Sequence, residues 1–186
     1  MLFIDPTTLL LASLIIFCGA LTQSLIGFGL AVVASPLLYI VDPQLVPVPV
    51  IVMGFAISLM TLFRERNHLE FNGLQYALLG SIPGGFLGAS LLLLAPQPIL
   101  GLAIAGIVFT AVLLSIFKLS APVNRITLFI AGIVSGIFGN IAAIGGPPMA
   151  ILLAGKDASQ FRAALSAFFI FSSMIALAIL AIVGLV

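Results

Sequence analysis

The sequence predicts an all-α integral membrane protein. The expected architecture is a polytopic helical bundle with two inverted repeats, each opening with a broken or re-entrant helix pair, the second repeat being incomplete. Hydrophobic residues make up 63% of the 186 residues and charged residues 6%, whereas a soluble domain carries about 25% charged residues. Apolar stretches of about 20 residues, the length that crosses a bilayer, recur throughout the chain. Glycine and proline interrupt two of these stretches, at Gly27–Gly29 and at Gly145–Pro148.

The first predicted helix covers residues 7–26 and ends at Gly27. Asp5 followed by Pro6 is typical of a helix N-cap with proline at the first helical position. Because the preceding residues lack the basic stretch of a signal peptide, we expect this helix to stay in the protein. The other apolar segments, in chain order, are 30–41, 46–63, 73–95, 98–117, 126–143, 149–154 and 162–186.

The hydrophobic pattern begins again after residue 124, which predicts an internal repeat. Aligning Pro36 with Pro148 places each proline at the start of a short apolar piece, followed by a polar turn and a long span. We therefore expect one membrane domain over residues 1–186, with repeat one at about 7–117 and a partial repeat two at about 124–186. Because the second unit lacks two spans, we expect a fragment, a natural truncation, or a homo-oligomer or partner subunit that completes the second repeat.

The basic residues favour a topology in which each broken block is a hairpin that enters and leaves the membrane on one face. Cytoplasmic loops carry an excess of Lys and Arg. If both blocks cross once, Lys156 and Arg162 lie opposite Arg64, Arg66, Lys118 and Arg125, whereas two hairpins put all six on one side. Hairpins also leave three spans in the complete unit, so the second unit starts from the opposite face and the repeats are inverted. The first segment is nevertheless long enough to cross by itself.

The two breaks form the candidate substrate site. Glycine and proline inside a membrane helix free backbone groups that lipid cannot satisfy, and interrupted helices in corresponding halves of a transporter mark its binding site. A helix that starts within the membrane presents unpaired N–H groups and a positive dipole end to an anion. We expect such starts near Leu30 and Met149. The expected substrate-binding residues are Gln23, Ser24, Gly27, Gly29, Ser35, Pro36, Asn140, Gly145, Gly146, Pro147 and Arg162.

The same residues have simpler alternative roles. One alternative is that the glycines and prolines only kink tightly packed helices, while the polar groups bond neighbouring helices. Arg162 stands at the membrane edge, where it either attracts the anion or anchors a helix end among lipid headgroups. Glycines repeat at every fourth position in two further spans, which predicts helix contacts rather than a transport route. These glycines are Gly80, Gly84 and Gly88 in one span and Gly132 and Gly136 in the other.

Three segments carry a family resemblance: Gly27–Leu30 leading to Ser35–Leu38, Ser135–Gly139 running into Ile144–Pro148, and Phe161–Leu165. Together they resemble the TauE/SafE sulfite exporter family, and the resemblance extends over the whole chain. It implies a membrane permease with two repeated halves that moves sulfite, sulfonates or other small organic anions, in several cases outward. Relatives usually continue well beyond the position of the last residue, so the chain resembles a shortened member.

We therefore expect a permease that moves a small anion, such as sulfite, an organosulfonate or a carboxylate, across the bacterial inner membrane. The alternatives are a channel-like pore and a non-transporting accessory subunit. An enzyme is not expected, because the single histidine, His68, lies in a loop and the acidic residues lie near span ends. We expect no cofactor, no metal and, with scattered basic residues and a net charge of +1, no nucleic-acid partner. The expected partners are the anionic solute and the lipid bilayer.

Overall fold

The computed structural model describes residues 5–69, 73–116 and 122–185, and these residues form α-helices joined by short turns, without a strand. The helices are α1 (Pro6–Ile26), α2 (Leu30–Val41), α3 (Val48–Glu65), α4 (Leu74–Leu94), α5 (Gln97–Ile116), α6 (Arg125–Ala142), α7 (Gly146–Leu153) and α8 (Ala158–Ile182). Six of them, all but α2 and α7, are long and apolar enough to cross a membrane. The predicted polytopic helical bundle is confirmed, as is the start of α1 at Pro6 after the N-cap Asp5.

The first break is a helical hairpin. Gly27 and Gly29 have φ angles of +96° and +129°, a conformation that only glycine adopts at low cost, so the chain reverses between α1 and α2. A side chain on Gly19 of α1 would lie 2.9 Å from the carbonyl oxygen of Leu30. These residues would be far apart in a continuous helix, so α2 runs back along α1.

The second break has the same form. The helix α6 is preceded by the N-cap Asn124, whose side chain accepts hydrogen bonds from two N–H groups of the first turn, and it is followed by the C-cap Ala143, which has a φ of +60°. A side chain on Gly145 would then lie 3.2 Å from the carbonyl oxygen of Ser135, within α6. The chain therefore folds back a second time, and α7 returns beside α6.

The expected helix start near Leu30 is confirmed, because α2 begins at that residue. The alignment that placed Pro36 at the start of the short piece is wrong, because Pro36 lies inside α2. The reversal is made by the positive-φ glycines instead, and a proline inside the helix removes one backbone hydrogen bond without ending it. The second short helix begins at Gly146 rather than near Met149, because proline is tolerated in the first turn of a helix, where N–H groups have no helical acceptor.

The described basic residues gather at one end of the bundle, which we name the basic end. Arg162 at the start of α8 pairs with Glu65 at the end of α3, and Arg125 at the start of α6 lies over the ring of Tyr76 in α4. One apolar cluster at this end contains Tyr76 and Phe161. It also contains Leu62, Leu69 and Leu153, which lie within three residues of Arg64, Arg66 and Lys156 along the chain, so these basic residues are at the same end. Lys118 lies outside the described residues.

The two hairpins have opposite orientations in the bundle. Tyr39, near the end of α2, donates a hydrogen bond to the carbonyl oxygen of Gln97 at the start of α5, which is the end opposite the basic end. The α1–α2 hairpin therefore opens at that opposite end. The α6–α7 hairpin begins at Arg125 and opens at the basic end. This arrangement agrees with the topology in which each broken block enters and leaves on one face.

A glycine seam joins α4 to α6, as the spacing of the glycines predicted. A methyl group on Gly84 would lie 2.1 Å from the carbonyl oxygen of Ile133, and one on Gly132 would lie 2.0 Å from that of Ala77. The two backbones are therefore in direct contact. In lipid the hydrophobic effect does not drive helices together, because lipid tails are as apolar as side chains, so close packing at small residues supplies the attraction. The seam holds α6 of the second hairpin against α4.

Candidate functional site

Both breaks line one small cavity of about 60 Å³ in the middle of the bundle. Phe28 and the first residues of α2 form one wall, and Ala143 to Pro147 form the facing wall, with further lining from α1, α3, α4, α6 and α8. Since one water molecule needs roughly 10–15 Å³ of such space, the cavity has room for a solute of a few heavy atoms.

The start of α2 presents hydrogen-bond donors at this cavity. The N–H groups of Leu30, Ala31 and Val32 have no acceptor within the helix, and the N-cap Gly29 supplies no side-chain cap. All four residues line the cavity. The positive end of the α2 dipole therefore lies in its wall.

The start of α7 presents fewer donors than the start of α2. Pro147 and Pro148 occupy its first turn, and proline has no N–H group. Gly146 is therefore the one first-turn residue with an N–H group, and its N-cap Gly145 gives no side-chain cap. The two helix starts contribute unequally to the site: α2 supplies most of the donors.

The two breaks touch each other beside the cavity. A methyl group on Gly146 would lie 3.1 Å from Cβ of Phe28 and 2.9 Å from Cζ of Phe169 in α8. Gly146 therefore fits between two phenylalanine side chains, and any larger residue there would push them apart. This contact joins the first hairpin, at Phe28, to the second, at Gly146.

Polar but uncharged side chains complete the lining. Gln23 in the last turn of α1 is buried and donates from Nε2 to Oγ of Ser58, at 3.2 Å. Asn140 in α6 is fully buried and donates from Nδ2 to the carbonyl oxygen of Gly85, at 2.7 Å. Among the described residues, no charged side chain lines the cavity.

Two polar atoms in this wall have no hydrogen-bond partner in the described part of the chain. They are Oγ of Ser135 and Oδ1 of Asn140, in residues that are 3% and 0% exposed. Buried polar groups are normally paired, and leaving one unpaired costs about 1–3 kcal/mol. Unpaired atoms at a cavity wall are typical of a site that a ligand or a water molecule completes.

The structure brings six of the expected site residues to the cavity. They are Gln23, Gly29, Asn140, Gly145, Gly146 and Pro147. The others lie elsewhere: Ser24 is exposed on the outer face of α1, and Ser35 is buried with its hydroxyl bonded to the carbonyl oxygen of Ala142. Pro36 lies farther along α2, and Gly27 packs against Arg162, whose Cγ would be 2.9 Å from a methyl group there.

Arg162 does not line the cavity either. Its Nε and Nη2 donate to the same carboxylate oxygen of Glu65, at 3.1 Å and 2.6 Å, and Nη2 also reaches Oγ of Ser159. The carboxylate neutralises the guanidinium at the basic end of the bundle. The pair joins α3 to α8, so the geometry supports a structural role at the membrane edge.

A wider cavity of about 780 Å³ lies on the basic-end side of the site. The two cavities share the lining residues Phe28, Gly29, Val32 and Pro147. Farther out, the wider cavity is bounded by Ile26, Leu114, Ala154, Gly155 and Phe161. The ring of Phe28 packs against that of Phe161, with centroids 6.3 Å apart, so this phenylalanine stands between the small cavity and the wider one.

Sequence reasoning missed several lining residues. Ser81, Gly85 and Gly139 lie on α4 and α6 beside the glycine seam, and Ser172 and Ser173 lie in the middle of α8. Adjacent serines in the middle of an apolar span were a usable signal, because polar residues at that depth are costly and usually face protein or water. The glycines gave no such signal, because a glycine in a packed helix contact has the same sequence context as one beside a cavity.

Comparison with known protein families gives a match over most of the chain. The family model described as Sulfite exporter TauE/SafE matches residues 11–186, nearly the whole chain. No curated protein and no solved structure matches. In the described ranges, no group of three or more His, Cys, Asp or Glu side chains could hold a metal ion.

Proposed function

The chain belongs to the TauE/SafE sulfite exporter family, a family of membrane transporters of sulfite-type anions, and we propose that it is a carrier which moves its solute through the cavity between the two hairpins. The solute is a small anion: sulfite, an organosulfonate or a carboxylate. The membrane is the bacterial inner membrane, the basic end faces the cytoplasm, and the direction is export. The observation that carries this proposal is that the two short helices that follow the breaks, α2 and α7, both begin at the wall of one cavity.

The donors at the cavity support an anion as the solute. The start of α2 supplies three N–H groups at the cavity, those of Leu30, Ala31 and Val32, and the start of α7 supplies a fourth, that of Gly146. Helix starts of this kind bind anions through N–H groups and the dipole together. The lining carries no carboxylate among the described residues, so no fixed negative charge opposes an anion there.

The positions of the cavities support a carrier rather than a pore. The small cavity shares four lining residues with the wide cavity at the basic end, whereas the cavity at the opposite end, about 350 Å³ in volume, shares none of the described residues with it. Access from one side at a time is the property of an alternating-access transporter. A carrier gives saturation and counterflow, a pore gives single-channel currents, and an accessory subunit gives neither.

Inverted repeats supply the elements for such a cycle. We assign α1 to α5 to a complete first repeat and α6 to α8 to a partial second repeat, since the two hairpins have matching folds and opposite orientations. Rocking of one hairpin against the other would then move the boundary at Phe28 and Gly146. The association with a second copy or a partner subunit stays a prediction.

Filling the cavity tests the proposal without disturbing helix contacts. Gly54 of α3 and Gly139 of α6 both line the cavity, and a methyl group on either would meet nothing within 4 Å. Gly54→Leu and Gly139→Leu are each expected to lower sulfite counterflow in proteoliposomes at least 10-fold, while the folded fraction stays unchanged. Gly106→Leu is the matched control, because its position is equally open but lies outside the cavity. Equal counterflow in all three variants would refute the assignment of this cavity.

A further inference from the structure

The side-chain amide of Asn140 has a fixed orientation. Its partner is the carbonyl oxygen of Gly85, at 2.7 Å, and a carbonyl can only accept a hydrogen bond. The atom bonded to Gly85 is therefore the NH₂ group, and Oδ1 is the atom left without a partner. Because an amide oxygen can only accept, the missing partner of Asn140 is a hydrogen-bond donor.

Ser135, five residues before Asn140 on α6, also has a buried oxygen without a partner and lines the same cavity. Its hydroxyl is buried and unpaired, whereas three other buried serines of the described chain form hydrogen bonds: the hydroxyl of Ser35 donates to Ala142, that of Ser81 donates to Leu78, and that of Ser58 accepts from Gln23. The remaining buried serine, Ser166, lies outside the cavity lining. Both unpaired atoms therefore belong to residues that line the cavity.

A fully deprotonated oxyanion does not suit this wall. Such an ion carries only acceptor oxygens, which match the N–H groups of Leu30 to Val32 but repel Oδ1 of Asn140. We propose that the transported anion carries an O–H group beside its charged group, and that Asn140 accepts a hydrogen bond from that O–H while Ser135 donates to or accepts from the same group. The inference rests on the function proposed above for this cavity.

Two chemical sources give the same O–H group. One is a hydroxyl on a carbon next to the charged group, as in glycolate or 2-hydroxyethanesulfonate. The other is an acid proton on the oxyanion itself, as in hydrogensulfite. Each source makes the solute a donor toward α6 and leaves its charged oxygens free for the start of α2.

Pairs of solutes that differ by one O–H group test the inference. Uptake into proteoliposomes is measured for glycolate against acetate and for 2-hydroxyethanesulfonate against ethanesulfonate, and sulfite uptake is measured on both sides of the pKa of hydrogensulfite. A preference of about 10-fold for the hydroxylated solute identifies the hydroxyl, because a site built to bond a hydroxyl discriminates against its absence. A preference confined to protonated sulfite identifies the acid proton.

Variants assign the preference to the named residues. Ser135→Ala removes an unpaired hydroxyl and no internal hydrogen bond, so it should fold normally and lower the preference several-fold. Asn140→Leu also removes the hydrogen bond to Gly85 and so changes the amount of folded protein. For this variant the comparison is therefore the ratio of uptake rates of the hydroxylated and unhydroxylated solutes, which does not depend on that amount. Ser81→Ala is the matched control, since Ser81 lines the same cavity but its hydroxyl is bonded to Leu78; the preference ratio should stay unchanged.

Equal uptake of both members of each pair, together with no effect of sulfite protonation, would overturn this inference while leaving the anion carrier intact. Sodium-dependent uptake that Ser135→Ala weakens without any hydroxyl preference would also overturn it, because the oxygens would then be cation ligands. If no anion is transported at all, the proposed function fails and the inference fails with it.

Discussion

The hydroxyl of Ser35 donates a hydrogen bond to the carbonyl oxygen of Ala142, the last residue of α6. Both residues are fully buried. A carbonyl at the end of a helix has no helical N–H partner, so this hydroxyl satisfies a group that the second break exposes. It also ties α2 of the first hairpin to α6 of the second.

Ser35→Ala is therefore expected to lower the free energy of unfolding by about 1–3 kcal/mol, since the Ala142 carbonyl would be buried without a partner. The measurement is thermal unfolding of the purified protein in detergent. Ser90→Ala is the control, because Ser90 is exposed and its hydroxyl bonds to Phe86 within its own helix. Equal melting temperatures of the two variants would contradict the structural role of the Ser35 bond.

A second prediction concerns the glycine seam. Gly84→Ala places a methyl group 2.1 Å from the carbonyl oxygen of Ile133, so α4 and α6 must separate, and the close packing that attracts helices in lipid is lost. The expected result is a large loss of folded protein in size-exclusion chromatography. Gly106→Ala, at a position with nothing within 4 Å, should give the wild-type yield. A Gly84→Ala protein with normal yield and stability would show that the seam is not tight.

The helices and the two reversals could be predicted from the sequence because their signals are local. Apolar length sets the spans, the N-cap Asp5 with Pro6 sets the start of α1, and glycines with positive φ make the first turn. The glycine seam followed from a spacing of four residues on two spans. Pro36 misled the alignment because proline can break a helix or be tolerated within it, and the choice depends on surrounding helices.

The cavity lining could not be predicted in full because it depends on tertiary contacts. Gln23 and Ser24 are neighbours in sequence, yet one faces the cavity and the other is exposed, and a hairpin of unknown packing gives no basis for choosing between them. The sequence places Arg162 just after the second break at the membrane edge, which makes it a candidate either for attracting the anion or for anchoring a helix end. Its partner Glu65 is distant in sequence and is brought close by the packing of α3 against α8.

A third prediction distinguishes the two roles considered for Arg162. Glu65→Gln leaves the guanidinium half-buried without its carboxylate, which is expected to cost about 2 kcal/mol or more in the free energy of unfolding. Arg64→Gln is the control, because the Arg64 side chain is 68% exposed and lies 3.9 Å from Glu65, and exposed pairs contribute little. If Arg162 instead held the solute, Glu65→Gln would leave stability unchanged and strengthen anion binding.

A double variant separates the ion pair from simple packing. Replacing both partners in Glu65→Leu with Arg162→Met removes both charges together, and exchange of a buried pair for apolar side chains is often neutral. The stability lost in Glu65→Gln should therefore be partly recovered in the double variant. Additive losses would indicate that each side chain acts through its own contacts rather than through the pair.

The last prediction concerns the orientation in the membrane, on which the assignment of the wide cavity to the cytoplasmic side depends. Single cysteines replacing Asn67, Val123 and Ala158, all exposed at the basic end, should react with a membrane-impermeant maleimide only from the cytoplasm. A cysteine replacing Gln44, exposed at the opposite end, should react only from outside. The background is Cys18→Ser, since Cys18 is the single cysteine and is exposed. Because α4 and α5 lie between Asn67 and the second hairpin, and that hairpin returns to the face it leaves, Asn67 and Ala158 must label from the same side. Labelling of these two from opposite sides would mean that a broken block crosses the membrane, and the inverted arrangement would be withdrawn.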